Sequence, residues 1–205
     1  MQKEMLKRAA LILAGGKGTR VDGCEKALMT YQGESFLKRQ IQILSPIVDE
    51  IIISCRDEKQ QRVIEELVQM PCVVDQVQGM GPVSGIYAGF SQSSADVCFI
   101  VAGDMPLLHE GVISFLFEEF TKEPDTCAAL VPCWNKQELE PLHAIYRRKS
   151  VFSYLESHRD VRKMYTILSD MTVRYLPVEK LRQYDEELRF FTNVNTPKDL
   201  ADLAL

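Results

Sequence analysis

Short apolar runs rich in β-branched residues alternate with amphipathic stretches through the first two thirds of the chain. The runs at residues 9–13, 50–55, 72–74, 97–102 and 127–131 read as strands. Between them, residues 35–44 place Phe36, Leu37, Ile41 and Leu44 on one face of a helix, and residues 57–70 do the same with Val63, Ile64, Leu67 and Val68. Asp57 makes a good N-cap for the second of these. A third helix is expected to start near Pro106 and run to about Phe120, with Val112, Ile113, Leu116, Phe117 and Phe120 at helical spacing and the proline in its first turn. After Pro132 the pattern changes: residues 134–141 are polar, and then 142–146 and 171–176 read as strands flanking a helix at 150–157. Strands separated by helices of this length imply βαβ crossovers. The expected fold class is therefore α/β, a three-layer arrangement of a mostly parallel sheet with helices on both faces. Ligands of such sheets bind beyond the carboxyl ends of the strands, which makes the residues just after each strand the candidates for chemistry.

No linker, repeat or low-complexity tract divides the 205 residues. We expect a single domain spanning 1–205, with residues 9–131 as one half and 132–205 completing the sheet and walling a cleft. Hydrophobic residues at 46% and charged residues at 26% exclude a disordered chain, a collagen or a coiled-coil rod. A net charge of −5 lacks the basic stripe of a general nucleic-acid or anionic-membrane surface, and no apolar stretch approaches the ~18 residues of a membrane span. Lys3, Lys7 and Arg8 before the apolar residues 9–14 imitate a signal peptide, but the run is short and leads into glycines, as a strand entering a loop does. The six cysteines, at 24, 55, 72, 98, 127 and 133, form no C-x-x-C pair. Buried free thiols in a reducing cytoplasm are expected.

The first strand runs into Leu13-Ala14-Gly15-Gly16-Lys17-Gly18-Thr19-Arg20. Glycines let a backbone approach an anion with its N–H groups, and Lys17 and Arg20 add full charges, so a phosphate-binding loop is the natural reading, against a plain glycine turn with solvated charges. The spacing fits neither a Walker A loop nor a dinucleotide fingerprint. Asp104 follows the apolar strand at 97–102. It is placed either to hold Mg²⁺ against phosphate oxygens or to cap a helix beginning at Pro106. Asp75 ends the strand at 72–74, just before the glycine-rich residues 79–85. That segment is either a turn leading into a helix or a flap over a nucleotide whose ribose or base Asp75 contacts. Asn193 and Asn195, if on a strand, point the same way and reach a common metal-bound phosphate; the alternative is a turn in which Asn195 caps a final helix with Pro197 in its first turn. His109, His143 and His158 lack metal-ligand spacing and are read as structural or surface residues. Trp134 either stacks on a substrate or packs in its loop. Arg147, Arg148 and Lys149 either steer a phosphorylated substrate or form a solvated face.

Four segments between Ala10 and Leu200, in order, carry a resemblance: L-A-G-G-K-G-T-R with E-K-A-L-M around Lys26, D with G-M-G-P-V-S-G from Asp75, G-D-M-P at Asp104, and F-T-N-V-N-T-P-K-D-L at 191–200. Together they resemble the molybdenum cofactor guanylyltransferases, MobA-like nucleotidyltransferases with a Rossmann-like fold and a mixed, mostly parallel sheet. The resemblance implies transfer of GMP from GTP to the phosphate of molybdenum-bound molybdopterin, with Mg²⁺ as cofactor and pyrophosphate as product. It assigns the metal to Asp104 and Asn195, the reacting phosphates to Lys26, and departure of pyrophosphate to Lys17 and Arg20. Leu13, Ala14, Gly15, Gly16, Asp75 and Gly81 are assigned to the nucleotide, while the P-L-H-A-I-Y strand at 141–146 faces the acceptor side, with Arg159, Arg162 and Lys163 as acceptor contacts. GTP and molybdopterin are the implied partners, with transient contacts to other cofactor-biosynthesis proteins. The stretch 21–26 is one residue longer than the family's, with Glu25 in place of Asp and Gly18 in place of Ser, and Ser54 and Cys55 stand near a family Asn whose contact is not carried over. L-A-G-G leans towards guanine. CMP transfer, another phosphorylated acceptor such as a sugar or cobinamide phosphate, and a nucleotide sensor without turnover are the alternatives.

Overall fold

The computed structural model describes residues 6–15, 29–75 and 81–203. Seven strands form one sheet: β1 (Arg8–Leu13), β4 (Glu50–Cys55), β5 (Cys72–Val74), β6 (Val97–Ala102), β7 (Ala129–Cys133), β8 (His143–Arg147) and β9 (Val173–Pro177), in the order β5-β4-β1-β6-β8-β7-β9; β2 (Thr30–Tyr31) and β3 (Glu34–Ser35) make a separate small hairpin. β5, β4, β1 and β6 are mutually parallel, β8 runs antiparallel to both of its neighbours, and β9 is parallel to β7. The expected mostly parallel sheet is thus present, with one reversed strand that the pattern did not announce.

Alternate residues of the central strands feed two cores, which makes the arrangement three-layered. Ala10, Ile12, Phe99 and Val101 pack with Leu37 and Leu44 of α1 (Phe36–Leu44), Ile64 of α2 (Glu58–Val68), and Val112 and Leu116 of α4 (Glu110–Thr121). Ala9, Leu11, Cys98 and Ile100 pack on the other face with Ile86 and Phe90 of α3 (Pro82–Gln92), Val151 and Leu155 of α5 (Arg148–Ser157), and Ile167 of α6 (Met164–Asp170). The caps follow the sequence: Ser35 and Asp57 accept from the backbone N–H groups of Lys38 and Gln60. Cys55, Cys72, Cys98 and Cys127 are buried free thiols and Cys133 is a half-buried one; Cys24 lies outside the described residues. Among the described residues, no helix is long and apolar enough to cross a membrane.

Several boundaries move. β7 starts and ends two residues beyond the expected 127–131, β8 and β9 are shifted towards the C-terminus, and α5 begins at once after β8. The third helix begins at Glu110, not near Pro106. Buried Gln40 donates its Nε2 hydrogens to the carbonyls of Ala102 (2.8 Å) and Met105 (2.9 Å), which holds residues 103–109 out of helix, and His109 Nδ1 then accepts from Gly111 N–H as the cap. Residues 192–195 form no strand. The cap of α7 (Pro197–Asp202) is Thr196, not Asn195, in a capping box with Asp199.

Candidate active site

The parallel strands β1, β4, β5 and β6 all end at one edge of the sheet, and the residues after them are stitched together by backbone bonds. Leu13 lies level with Ser54 and Ala102; Gly103 N–H donates to Leu13 O (3.0 Å) and Ala14 N–H to Ser54 O (2.9 Å). A buried glutamine ties the ends of β1 and β4 together: Gln60 Oε1 accepts Arg56 N–H at 2.7 Å, and its Nε2 donates to Ala14 O at 3.0 Å. Gly15 lies so close to the next strand end that a β-carbon there would stand 2.8 Å from Arg56 N. Gly16, Lys17, Arg20 and Lys26 lie outside the described residues.

Asp75, one residue past β5, donates its N–H to Cys55 O (2.8 Å), and its Oδ1 accepts from the Ser54 hydroxyl at 2.7 Å. Burial raises the Asp75 carboxyl to about 6, with the Ser54 bond opposing the shift. Gly85 of α3 packs against this pair: a β-carbon would meet Ser54 Oγ at 2.4 Å and Asp75 Oδ1 at 3.2 Å. Gly81 at φ 64° opens α3 with no side-chain cap and with Pro82, which has no N–H, in its first turn. Because the folded state holds the Asp75 proton more tightly than the unfolded one, its contribution to stability is full below about pH 4 and is lost as pH rises through about 6. Asp75→Asn keeps an oxygen for Ser54 and loses the buried charge. Its melting temperature should therefore equal that of the parent near pH 4 and exceed it at pH 8, as thermal unfolding at the two pH values will show.

Asp104 follows Gly103, which is pinned to Leu13, and so stands beside the end of β1. With α4 capped by His109, the alternative reading of Asp104 as the cap of a helix at Pro106 is gone. Val194, fully buried, donates its N–H to Asp104 O at 2.9 Å, which brings the flanking Asn193 and Asn195 to the same edge. Asn193 also lines a neighbouring cavity of about 880 Å³ with Leu108, His109 and Arg189. No group of three or more His, Cys, Asp or Glu able to hold a metal occurs among the described residues. One carboxylate with a neighbouring carboxamide, all oxygen donors, fits a hard Mg²⁺ ion that keeps waters and takes its remaining ligands from substrate phosphates.

The other candidates sort themselves by position. Arg147 and Arg148 sit at the opposite end of the sheet, level with or just beyond Val97. Their guanidinium groups donate to the carbonyls of Cys127 and Ala95, which overturns a steering role. Arg162 lies at the active edge, its carbonyl 3.8 Å from where a β-carbon of Gly81 would be, while Arg159 stacks on Tyr87 and pairs with Glu156. His143 is enclosed by Phe99, Phe190 and Phe191, and burial pushes it down to about 3, so it stays neutral; His158 stacks on Tyr154. The histidines are structural, as their spacing implies. Ser54, Gln60 and Gln40 are the supports that sequence reasoning missed; an isolated Ser or Gln carries no motif, and a buried polar residue is recognised only once its partners are seen.

The family model described as MobA-like NTP transferase domain matches residues 10–176. A Methanosarcina mazei protein named probable molybdenum cofactor guanylyltransferase is 32% identical over 206 residues, covering 96% of this chain and 89% of its own. One of the same name from Thermococcus gammatolerans is 34% identical over 197 residues, covering 94% and 96%. The crystal structure of the molybdopterin-guanine dinucleotide biosynthesis protein A from Archaeoglobus fulgidus aligns over 95% of each chain with 33% identity and a TM-score of 0.79.

Proposed function

The chain belongs to the MobA-like NTP transferase family, and from that premise we propose that it transfers GMP from GTP to the terminal phosphate of molybdenum-bound molybdopterin. An acceptor phosphate oxygen attacks the α-phosphorus in line; the new P–O bond forms as the bond to the β-phosphate bridge breaks, and pyrophosphate leaves. The nucleophile is already anionic near neutral pH, so the reaction asks for positioning and charge neutralisation and not for a basic side chain. That accords with a site edge whose conspicuous groups are carboxylates, amides and glycines.

Asp104 and Asn195 would hold Mg²⁺, which when bound neutralises charge on the triphosphate and the departing pyrophosphate. Lys26 would stabilise the reacting phosphates, and Lys17 and Arg20 the leaving group, on the strength of the motif they belong to. Gly81, whose positive φ opens α3, would contact the nucleotide, on the strength of the glycine-rich motif it belongs to. Ala14 N–H is committed to Ser54 O, so base reading from Leu13, Ala14 and Gly15 falls to Gly15 and to the second lone pairs of the two carbonyls. Asp75, unprotonated above about pH 6, accepts from base or ribose.

The observation that carries the reading is the Val194–Asp104 hydrogen bond, which closes the C-terminal Asn-Val-Asn segment onto the strand end that bears Asp104. The acceptor and the guanine rest on the relatives' names. The test is pyrophosphate release with Mg²⁺, molybdate-loaded molybdopterin and either GTP or CTP. Release with GTP supports the reading; release with CTP alone moves the base; silence with both, from protein that binds GTP, overturns it.

A further inference from the structure

Trp134 is the only tryptophan of the chain, and its place follows from register. Phe99 of β6, Ile145 of β8 and Leu130 of β7 lie on one level across the sheet. β6 and β7 run the same way, each being antiparallel to β8. Four residues further along each, Gly103 and Trp134 emerge at the same edge, two strand spacings or roughly 10 Å apart. Trp134 therefore stands across from Asp104 on the side away from the nucleotide loop.

The ring is held, yet open. Its Nε1–H donates to Glu140 Oε1 at 2.7 Å, its backbone N–H to Glu138 O at 2.9 Å, and its indole leans on Phe191 at 5.7 Å between centroids. Asn135 Oδ1 accepts from the N–H groups of Gln137 and Glu138, and a Cys133–Leu139 bridge closes the turn. In spite of these anchors Trp134 is 40% exposed, one of few large hydrophobic side chains so placed. Among the described residues the Glu140 carboxylate makes no other hydrogen bond, so its second oxygen has no donor there; burial raises its pKa, with the Trp134 bond opposing the shift. An indole fixed in place at the sheet edge, with a half-buried acceptor at its rim, fits a flat heteroaromatic ring that presents N–H donors along one side.

We propose that Trp134 and Glu140 form the binding platform for the pterin ring of the acceptor, the indole stacking on its face and the carboxylate taking its amine and amide hydrogens. This rests on the function proposed above and assigns the acceptor's ring to the 133–140 turn. Two strand spacings separate that platform from Asp104, the reach of a fused ring system whose phosphate hangs on a short arm.

Titration of the full-length protein with molybdopterin should quench the fluorescence of Trp134, and GTP alone should not. Free tryptophan amide in the same solution corrects for absorbance by the pterin. Trp134→Ala should raise the acceptor KM about tenfold, with kcat and the GTP KM within about twofold of the parent. Glu140→Gln should raise it several-fold and leave the quench in place. Trp134→Phe, which keeps a ring on Phe191, should retain most acceptor affinity and serves where the alanine variant does not fold. Pyrophosphate release by the parent with no quench and an unchanged acceptor KM in the variants overturns the platform and leaves the proposed function standing. A parent that releases no pyrophosphate with molybdopterin and shows no quench overturns both.

Discussion

Replacing Asp104 by alanine lowers the rate of pyrophosphate release by at least about 10²-fold and leaves the fold in place. The expectation of a large kinetic loss comes from the task proposed for the side chain, because removing a preorganised group from a site that stabilises charge typically costs about 10²–10³ in turnover. The expectation of an intact fold comes from the main chain: Val194 binds the Asp104 carbonyl, Gly103 is pinned to Leu13, and Gln40 grips the carbonyls of Ala102 and Met105. Asp104→Asn should behave similarly, with a higher Mg²⁺ requirement, since it keeps the shape and loses the charge. Rates and melting temperatures measured together check the prediction. Near-normal turnover in Asp104→Ala would remove this residue from the chemistry.

The second large effect is expected at Gly15. An alanine β-carbon would be 2.8 Å from Arg56 N and 3.0 Å from Cys55 C, both main-chain atoms with no rotamer to yield. Residues 14 and 15 must then move off β4, breaking the register that Gln60 sets through Ala14 O and Arg56 N–H. A displacement near 1 Å at a reacting group costs about 10²-fold, so kcat/KM for GTP should fall about a hundredfold in Gly15→Ala, with a higher KM for GTP as part of the loss. Steady-state kinetics with GTP as the varied substrate measures this. A modest change would mean that the loop start does not position the nucleotide.

Much of this edge was legible in the chain. Strands β1, β4, β5 and β6 were read from apolar runs because buried parallel strands are apolar on both faces, and α1 and α2 from their periodic stripes. The pattern after Gly81 is compatible with a helix or a flap, since α3 is buried nearly all round, with Gly85 and Gly89 against the sheet, and so shows no polar face to set a period. The boundary near Pro106 was misplaced for a different reason: the amide that keeps residues 103–109 out of helix belongs to Gln40, more than sixty residues away. Asp104, Asp75 and the Asn193–Asn195 segment were found as motifs, but their mutual placement depends on main-chain bonds that no side-chain pattern encodes. The steering reading of Arg147 and Arg148 failed because the direction of β8 was unknown; reversed, it carries them to the far end.

That reversal has a consequence for how such a chain can change. Because β8 runs backwards between β6 and β7, its first residue, His143, lies at the working edge, and the turn that joins β7 to β8 overhangs that edge as an appendage. The nucleotide side is built from strand ends locked to one another at main-chain level, where nearly every position is constrained. The appendage is closed by its own hydrogen bonds, joins two strands and leans on Phe191 through Trp134, and lengthening such a turn costs little in chain entropy. Residues 134–142 can thus be rewritten while the main-chain bonds that lock the ends of β1, β4, β5 and β6 are inherited untouched.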